Sequence, residues 1–373
     1  MINKTQNWSK IKLADLITLH YGSGLPETKR KGGNISVYGS NGVVGNHNER
    51  LIKGRGIVVG RKGTIGNIVW ANDDFWPIDT TYYIQDSNRY DLKWLYFVLK
   101  SLDLKSLNRG TGVPGLNRED VYKINVFLPD KIIQQKIADI LSTLDEEITK
   151  TDQIILKTEV LKKGLVQDLL EKGSNYSIHK LREIADITSS KRVMVSDYVE
   201  VGIPFYRSTE IIRKSKNIPL SDLLYISSDK FNFFKERFGA PKSGDILVTA
   251  VGTIGITYLV RDERFYFKDG NLLWIRNIKD NVLPEYLKML LSSKFYYDRL
   301  NLIAGGSSQK ALTIEKLGLV EIFIPTIKEQ KRLIGINSSI DNKQISNTKL
   351  FDSLRQLKKG LIQDIFSQKV QIN

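Results

Sequence analysis

The 373-residue chain contains no cysteine, which excludes disulfides and thiolate metal sites and makes a reducing cytoplasm the simplest home. Histidine occurs only at His20, His47 and His179, without metal-ligand spacing, so structural or exposed roles are expected for all three. No run of about 18 apolar residues is present, so no membrane span is expected. The opening MINKTQNWSK lacks the apolar core of a signal peptide. Several enzyme motifs are also missing. Without an N-P-P-Y or D-P-P-Y tetrapeptide there is no base-methylation loop of an amino-methyltransferase. Without G-x-x-x-x-G-K-[ST] there is no P-loop. GTIGNI and GTIGIT are glycine turns between strands and lack the dinucleotide pattern. The acidic pairs Asp73-Asp74 and Glu146-Glu147 are adjacent, so their side chains diverge, and no nuclease carboxylate cluster is indicated.

What is present is enough apolar sequence for real cores, 41% of residues, in a length that suits two or three domains. Lys plus Arg number 56 against 41 Asp plus Glu, a formal charge of +15. Residues 1–172 carry a net +5 and residues 173–373 a net +10. Such an excess suits a polyanionic partner. A soluble basic protein with no nucleic-acid role has the same composition.

The chain is written twice. KKGLVQDLL (162–170) returns as KKGLIQDIF (358–366), 196 positions later. At the same offset LNREDVYKINVFLPDKIIQQK (116–136) aligns with LTIEKLGLVEIFIPTIKEQKR (312–332). RKGTIGNIVW (61–70) resembles AVGTIGITYL (250–259) at offset 189, and KLADLIT (12–18) resembles KLREIAD (180–186) at offset 168. The last third of each repeat is held to length, while the earlier part varies. A period this long does not describe a solenoid; two domain-plus-helix units fit it.

After Pro129, with Asp130 as N-cap, Ile137, Leu141, Leu144, Ile148, Ile155, Leu161 and Leu165 make one apolar stripe on a helix of roughly 40 residues, about 60 Å long. The second stripe, after Pro325, is Leu333, Ile340, Phe351, Leu354, Leu357 and Leu361. Such a helix needs another long helix to cover its stripe, and the other copy is the candidate, giving a coiled-coil pair. Thr151 and Thr158 interrupt the first stripe, and Asn337, Gln344 and Asn347 the second. Buried polar residues can fix register at a cost in stability; the expectation here is that these turns face solvent or another subunit. Gly164 and Gly360 sit inside the helical pattern, where Gly costs roughly 1 kcal/mol against Ala. Close backbone approach to the paired helix or to a partner subunit explains them, and a local helix break explains them equally.

The parts before the helices read as α+β. Short glycine-punctuated runs such as GRGIVVG (54–60) and GDILVTAVG (244–252) are strands, LKWLYFVLKSL (92–102) and PEYLKMLLSSKFYYDRL (284–300) helices. Each domain then has a Gly/Ser/Thr-rich loop, NRGTGVPGLN (108–117) and AGGSSQKALT (304–313). Candidate nucleic-acid contacts in the first domain are Lys29, Arg30, Lys31, Arg61 and Lys62, with Tyr38, Ser40 and Asn41 as polar partners and Arg109 and Thr111 in the loop. In the second they are Lys191, Arg192 and Arg207, then Ser208, Thr209 and Thr249, and in the loop Ser307, Ser308, Gln309 and Lys310. Lys and Arg bind phosphates, and Arg also reads guanine edges.

Taken together, GSNGVVGNHNE, GRKGTIGNIVW and FWPIDTTYYI, then GTGVPGLNREDVYKINVFLP and LKKGLVQDLL, resemble the specificity subunit of type I restriction–modification systems. IPFYRSTEI and GGSSQKALTIEKLGLVEIFIPTIKEQKRL carry the resemblance in the second copy, so it covers nearly the whole chain. It implies an α+β chain with two globular α/β target recognition domains, 1–129 and 173–325. They are separated by two long helices, 130–172 and 326–373, that pair as an antiparallel coiled coil in a pseudo-twofold repeat. It further implies that each domain reads one half of an asymmetric double-stranded DNA site. The helices would scaffold two methyltransferase subunits, joined by restriction/translocase subunits. The helix residues Leu141, Leu144, Ile148, Ile155, Gly164, Leu165, Ile340, Phe351, Leu354, Gly360 and Leu361 would serve packing and assembly. No catalytic residue, metal or cofactor is expected in this chain; S-adenosylmethionine, ATP and Mg belong to the partners, in a bacterial or archaeal cytoplasm. Where the family has Glu-Gln after the helix-starting proline, the second copy has Glu329-Gln330 and the first Ile133-Gln134, which leaves the glutamate without a shared role. Alternatives are a methylation-only or type II-like complex, a coiled-coil adaptor without sequence preference, and an enzyme acting alone.

Overall fold

The structure, a computed structural model, describes residues 8–107, 115–172, 176–305, 310–370 and 372, with the side chains of 166–172 outside that description. The chain forms two compact units, Met1–Asp152 with Lys349–Asn373, and Gln153–Thr348. These cuts fall inside the long helices, whereas the sequence boundaries fall at 129, 172 and 325.

The first unit runs β1 (Ser9–Lys12), α1 (Leu13–Leu16), β2 (His20–Tyr21), β3 (Ile35–Gly39), β4 (Gly42–His47), β5 (Gly56–Gly60), β6 (Ile68–Ala71), β7 (Phe75–Pro77) and β8 (Thr81–Gln85). It continues with α2 (Leu92–Ser101), α3 (Arg118–Tyr122), β9 (Asn125–Leu128) and the start of α4 (Lys131–Lys172). Its sheets have the orders β2-β8-β5-β6, β4-β3-β7 and β1-β9. The second unit has β10 (Tyr176–Lys180), α5 (Leu181–Ile184), β11 (Asp186–Thr188), β12 (Tyr198–Val199), β13 (Ile203–Tyr206), α6 (Ser208–Ser215), β14 (Leu224–Ile226), α7 (Ser228–Phe238), β15 (Ile246–Thr249) and β16 (Thr257–Leu259). There follow β17 (Tyr266–Phe267), β18 (Leu272–Arg276), α8 (Pro284–Leu291), α9 (Lys294–Ala304), α10 (Ile314–Gly318), β19 (Glu321–Pro325) and the start of α11 (Ile327–Phe366). Its sheets are β11-β18-β15-β16, β12-β14-β13-β17 and β10-β19.

The repeat seen in the sequence is therefore a repeat of topology. Each domain has one four-stranded antiparallel sheet in the same order, one antiparallel pair at the helix entrance, and one parallel strand pair, β3 with β7 and β13 with β17. The extra length of the second copy lies after β13. There α6, β14 and α7 stand where the first copy has only the hairpin strand β4.

Each long helix is locked to its domain at its first turn by a buried glutamine. Gln134 is 2% exposed and Gln330 is fully enclosed. The Gln134 Oε1 accepts from the Asp91 backbone N–H at 2.7 Å, while its Nε2 donates to Pro129 O at 2.8 Å. Gln330 does the same, accepting from Leu283 N–H at 2.8 Å and donating to Asn281 O and Pro325 O at 2.8 and 2.9 Å. Asp91 is the N-cap of α2, where its carboxylate accepts from Trp94 N–H, and Leu283 holds the same place before α8. The shared element of the Glu-Gln pair is thus the glutamine. Glu329 makes a surface ion pair with Arg332, which holds its carboxyl below the usual range. Asp130 caps α4 as expected, accepting from Ile133 N–H at 2.9 Å.

Both stripes are regular heptads. On α4 the buried or half-buried positions Gln134, Ile137, Leu141, Leu144, Ile148 and Thr151 alternate by threes and fours within the first unit, and Ile155, Thr158, Lys162 and Leu165 continue that spacing within the second. On α11 the corresponding positions are Leu333, Asn337, Ile340, Gln344 and Asn347, then Phe351, Leu354, Lys358, Leu361 and Ile365. The expectation that the polar turns face solvent is corrected. Thr151 and Thr158 are each 4% exposed, and their hydroxyls donate to the carbonyls of Glu147 and Ile155, which satisfies them inside the helix. Leu161, assigned to the stripe, lies outside it and is 62% exposed. Within the first unit Lys358 pairs with Asp145. Within the second, Lys162 pairs with Asp341 and Gln344 Nε2 approaches Glu159, so the two helix segments there run antiparallel. The first core takes in Leu141 and, from the chain's C-terminal end, Ile365 and Ile372, with Leu144, Leu361 and Phe366 packed against it. The second core takes Leu333, with Leu165 and Ile334 against it.

The helices run unbroken through Gly164 and Gly360, which removes the local break. Among the described residues a Cβ at either glycine would meet nothing within 4 Å, so close packing against them does not explain the glycines.

Gln134→Ala and Gln330→Ala are each expected to cost about 1–3 kcal/mol, because a buried backbone N–H and at least one carbonyl lose their partner. Gln135→Ala, on the exposed side of the same turn, should fall within about 0.5 kcal/mol of the parent. Denaturant unfolding of the three variants checks this.

Candidate nucleic-acid interface

In the first domain the turn between β5 and β6 gathers the candidate residues. The sequence Arg61-Lys62-Gly63-Thr64-Ile65-Gly66 closes through Gly66 N–H to Gly60 O at 2.8 Å, and Arg61 and Lys62 both donate from their backbone to Thr80 O. Gly63 and Gly66 have φ of +76° and +68°, which L side chains rarely adopt, and a Cβ on Gly66 would stand 2.8 Å from Leu104 Cβ. The tip of the β3–β4 hairpin rests on this turn: Asn67 Nδ2 donates to Ser40 O at 3.1 Å and Thr64 N–H to Ser40 Oγ at 3.4 Å. Asn41, next along, is exposed. The end of the Gly-rich loop is tied in too, by Leu116 N–H to Arg61 O at 2.8 Å and a bridge between Lys62 and Gly115.

The Arg61 guanidinium donates to Asp79 O at 2.5 and 3.2 Å and lies 5.2 Å from the Tyr21 ring centre and 5.8 Å from that of Tyr82. Arg118 lies 5.4 Å from the same Tyr21 ring, which is 51% exposed. Burial pushes the Tyr82 phenol up to about 12, so it stays neutral and donates to Leu116 O at 3.0 Å. Ser40, Asn41, Arg61 and Lys62 are thus brought together with Tyr21 and Arg118, two residues that residue type alone did not single out.

The remaining first-domain candidates separate. Arg30 is bound to backbone, donating to Val44 O at 2.7 Å and Leu25 O at 3.3 Å. Lys29 and Lys31 are exposed beside it, and among the described residues no ion pair engages either. Tyr38 is corrected: it is 8% exposed, edge-on to Phe75, and burial raises its phenol pKa, so it belongs to the core. Arg109 and Thr111 lie outside the described residues.

In the second domain Ser208 Oγ and Ala250 N–H both donate to Asn271 O, which places Ser208 beside the β15–β16 turn. Thr209 is exposed one residue on. The Lys191 amino group lies 4.8 Å from the Phe238 ring centre, and Arg192 pairs with Asp269 at 3.2 Å. Arg207 makes two hydrogen bonds to the buried Glu210, which hold its guanidinium in place and raise its pKa, so its role is structural. Thr249 is corrected as well. It is fully buried, its hydroxyl donates to Thr253 O at 2.5 Å and accepts from Ile256 N–H at 2.9 Å, and it closes the turn from inside. Ser307, Ser308 and Gln309 lie outside the described residues, and Lys310 is exposed. Among the described residues no group of three or more acidic or histidine side chains could hold a metal ion, and no helix is long and apolar enough to cross a membrane.

Two copies of one sheet frame, each presenting its own turn, define a modular protein of two related domains. The family model for the type I restriction modification DNA specificity domain matches residues 5–158 and again 173–356, and the chain belongs to that family. It is 27% identical over 320 residues to a Haemophilus influenzae chain named as a type I restriction enzyme specificity subunit, covering 82% of this chain and 80% of that one. It is 23% identical over 361 residues to the MjaVIII specificity subunit of Methanocaldococcus jannaschii, covering 88% and 81%. The fold matches the crystal structure of a type I restriction–modification S subunit from M. genitalium, with TM-score 0.66 and 17% identity over 100% of this chain and 99% of that one. A chain from a structural study of complex assembly in the type I system matches with TM-score 0.53 and 16% identity, over 98% and 99%. The chain is therefore a DNA-recognition subunit of a restriction–modification complex, itself non-catalytic and without a cofactor of its own.

Tyr21→Ala removes the ring that Arg61 and Arg118 share and should weaken DNA binding by the assembled complex about two- to fivefold, the value of an exposed cation–π contact. Tyr21→Phe keeps the ring and should bind as the parent does. Fluorescence anisotropy with a short duplex reads both.

Proposed function

We propose that each domain reads one half of a bipartite, asymmetric DNA site. The recognition domains are residues 1–129 and 173–325, and the helices 130–172 and 326–373 are the platform for two methyltransferase subunits. Restriction/translocase subunits join that assembly, and the partners carry S-adenosylmethionine, ATP and Mg in the cytoplasm of a bacterium or archaeon. The observation that supports this reading is that the four-stranded antiparallel sheet, the parallel strand pair and the pair at the helix entrance recur in both domains while the side chains on their turns do not. The exposed Lys29, Lys31, Asn41 and Lys62 in one domain, and Thr209 and Lys310 in the other, are among the polar groups assigned to DNA contact.

Gly164 and Gly360 fit a partner's surface. Both stand in open space on unbroken helices, so neither is required by the chain's own packing.

Co-expression with the neighbouring methyltransferase gene, followed by mapping of methylated adenines, should give a bipartite asymmetric motif. Replacing residues 20–115 with the equivalent domain of another member should change one half of it only. A uniform, salt-sensitive footprint without a discrete site would overturn the reading. Gly164→Ala and Gly360→Ala should each stabilise the isolated chain by up to about 1 kcal/mol, as Ala does in a helix interior. Both should impair assembly measured by size-exclusion chromatography.

A further inference from the structure

The turns at 61–66 and 250–255 are the same backbone carrying opposite chemistry. Gly66 N–H to Gly60 O at 2.8 Å is matched by Gly255 N–H to Thr249 O at 2.9 Å. Gly60 N–H to Asn67 O at 2.8 Å is matched by Thr249 N–H to Ile256 O at 2.9 Å. Leu116 N–H to Arg61 O and Leu312 N–H to Ala250 O are both 2.8 Å. Lys62 bridges to Gly115 as Val251 bridges to Ala311, and Gly63 and Gly252 have φ of +76° and +75°. The short helices α3 and α10 follow in both copies, capped by Asn117 and Thr313. The turns of both domains, and the residues that lead from each loop into its short helix, are therefore held in one geometry.

On that common backbone three cations of the first domain are replaced by three apolar residues of the second. Arg61 corresponds to Ala250, Lys62 to Val251 and Arg118 to Ile314. The Arg61–Arg118 platform around Tyr21 has no cationic equivalent at these positions, and Ser189, at the place of Tyr21, instead bonds Leu272 O at 3.0 Å. Val251, in the turn, is 39% exposed, and Ile314, the first residue of α10, is 45% exposed. Each keeps a partly exposed aliphatic surface on a basic domain. It is suited to an apolar group on the ligand, and in the major groove of DNA that group is the thymine C5-methyl. Guanidinium and ammonium groups instead suit phosphates and the guanine O6/N7 edge.

We propose that this turn, with the first residue of the helix that follows its loop, is the equivalent reading element of both domains. Lys62 and Arg118 give the first domain a cationic readout of phosphate and guanine, with Arg61 held on Asp79 O next to them. Val251 and Ile314 give the second a methyl readout of thymine. The proposal rests on the DNA-reading function stated above.

The test uses the assembled complex and its mapped site. The variant Lys62→Val with Arg118→Ile identifies the half-site of the first domain and alters the motif only there. It also lowers the slope of log affinity against log salt by about one for each phosphate no longer neutralised. Val251→Ser with Ile314→Ser removes the side-chain methyls, relaxes the other half-site and leaves that slope unchanged. With the unaltered protein, duplexes carrying deoxyuridine for thymine in the second half-site bind about fourfold more weakly per contacted methyl. The same exchange in the first half-site has no effect, and the Val251→Ser variant, which has no methyl group, no longer discriminates. Equal uracil sensitivity of the two half-sites, or an unchanged motif in both variants, overturns the proposal. Absence of any discrete site for the unaltered complex would instead overturn the DNA-reading function itself.

Discussion

A primary amide buried at the first turn of each long helix holds the rest of the architecture in place. Gln134 and Gln330 each offer one acceptor and two donors, and each amide joins the backbone entering the long helix to the backbone entering α2 or α8. A hydrophobic contact at that place would allow the helix to slide or swing. Paired hydrogen bonds in a water-free pocket do not, because any displacement leaves polar backbone groups unsatisfied. The direction in which each helix leaves its domain is thereby fixed by one side chain, and everything further along the heptads inherits it.

From that fixed root the helices can tolerate imperfect seams. Thr151 and Thr158 occupy buried seam positions without an outside partner because each hydroxyl returns to its own helix. Asn337, Gln344 and Asn347 sit at half-buried positions where their amides reach either a charged group or the helix itself. The ion pairs along the helices are at least partly exposed, so they define register more than they contribute stability.

The domains follow the same division between a fixed backbone and free side chains. The strand order, the parallel pair and the glycine turn recur, and glycines at positive φ keep the turn's path independent of what stands beside them. A residue such as Lys62 or Val251 can then be exchanged without rebuilding the loop. For the same reason the reading elements were hard to recognise by residue type. Tyr38 and Thr249 have polar groups suited to a base, yet the first is held in the core and the second inside the turn. Tyr21, Arg118, Val251 and Ile314 carry no motif of their own and stand out only when the two copies are superimposed.

The sequence by itself determined the repeat, the two long helices with their N-cap at Asp130, the α+β character of the domains and the basic charge. Each is a local or periodic property, set by spacing, proline and glycine, and legible without knowing which residues meet. Only the tertiary structure decided that Thr151 and Thr158 are buried, that Ile365 and Ile372 join the core of the first domain, and that, among the described residues, a Cβ at Gly164 or Gly360 would meet nothing within 4 Å. It also decided which cations are free and which are held, as Arg207 is by Glu210 and Arg30 by backbone carbonyls. These facts depend on partners far away in sequence, and burial and hydrogen bonding to distant groups leave no periodic trace in the chain that makes them.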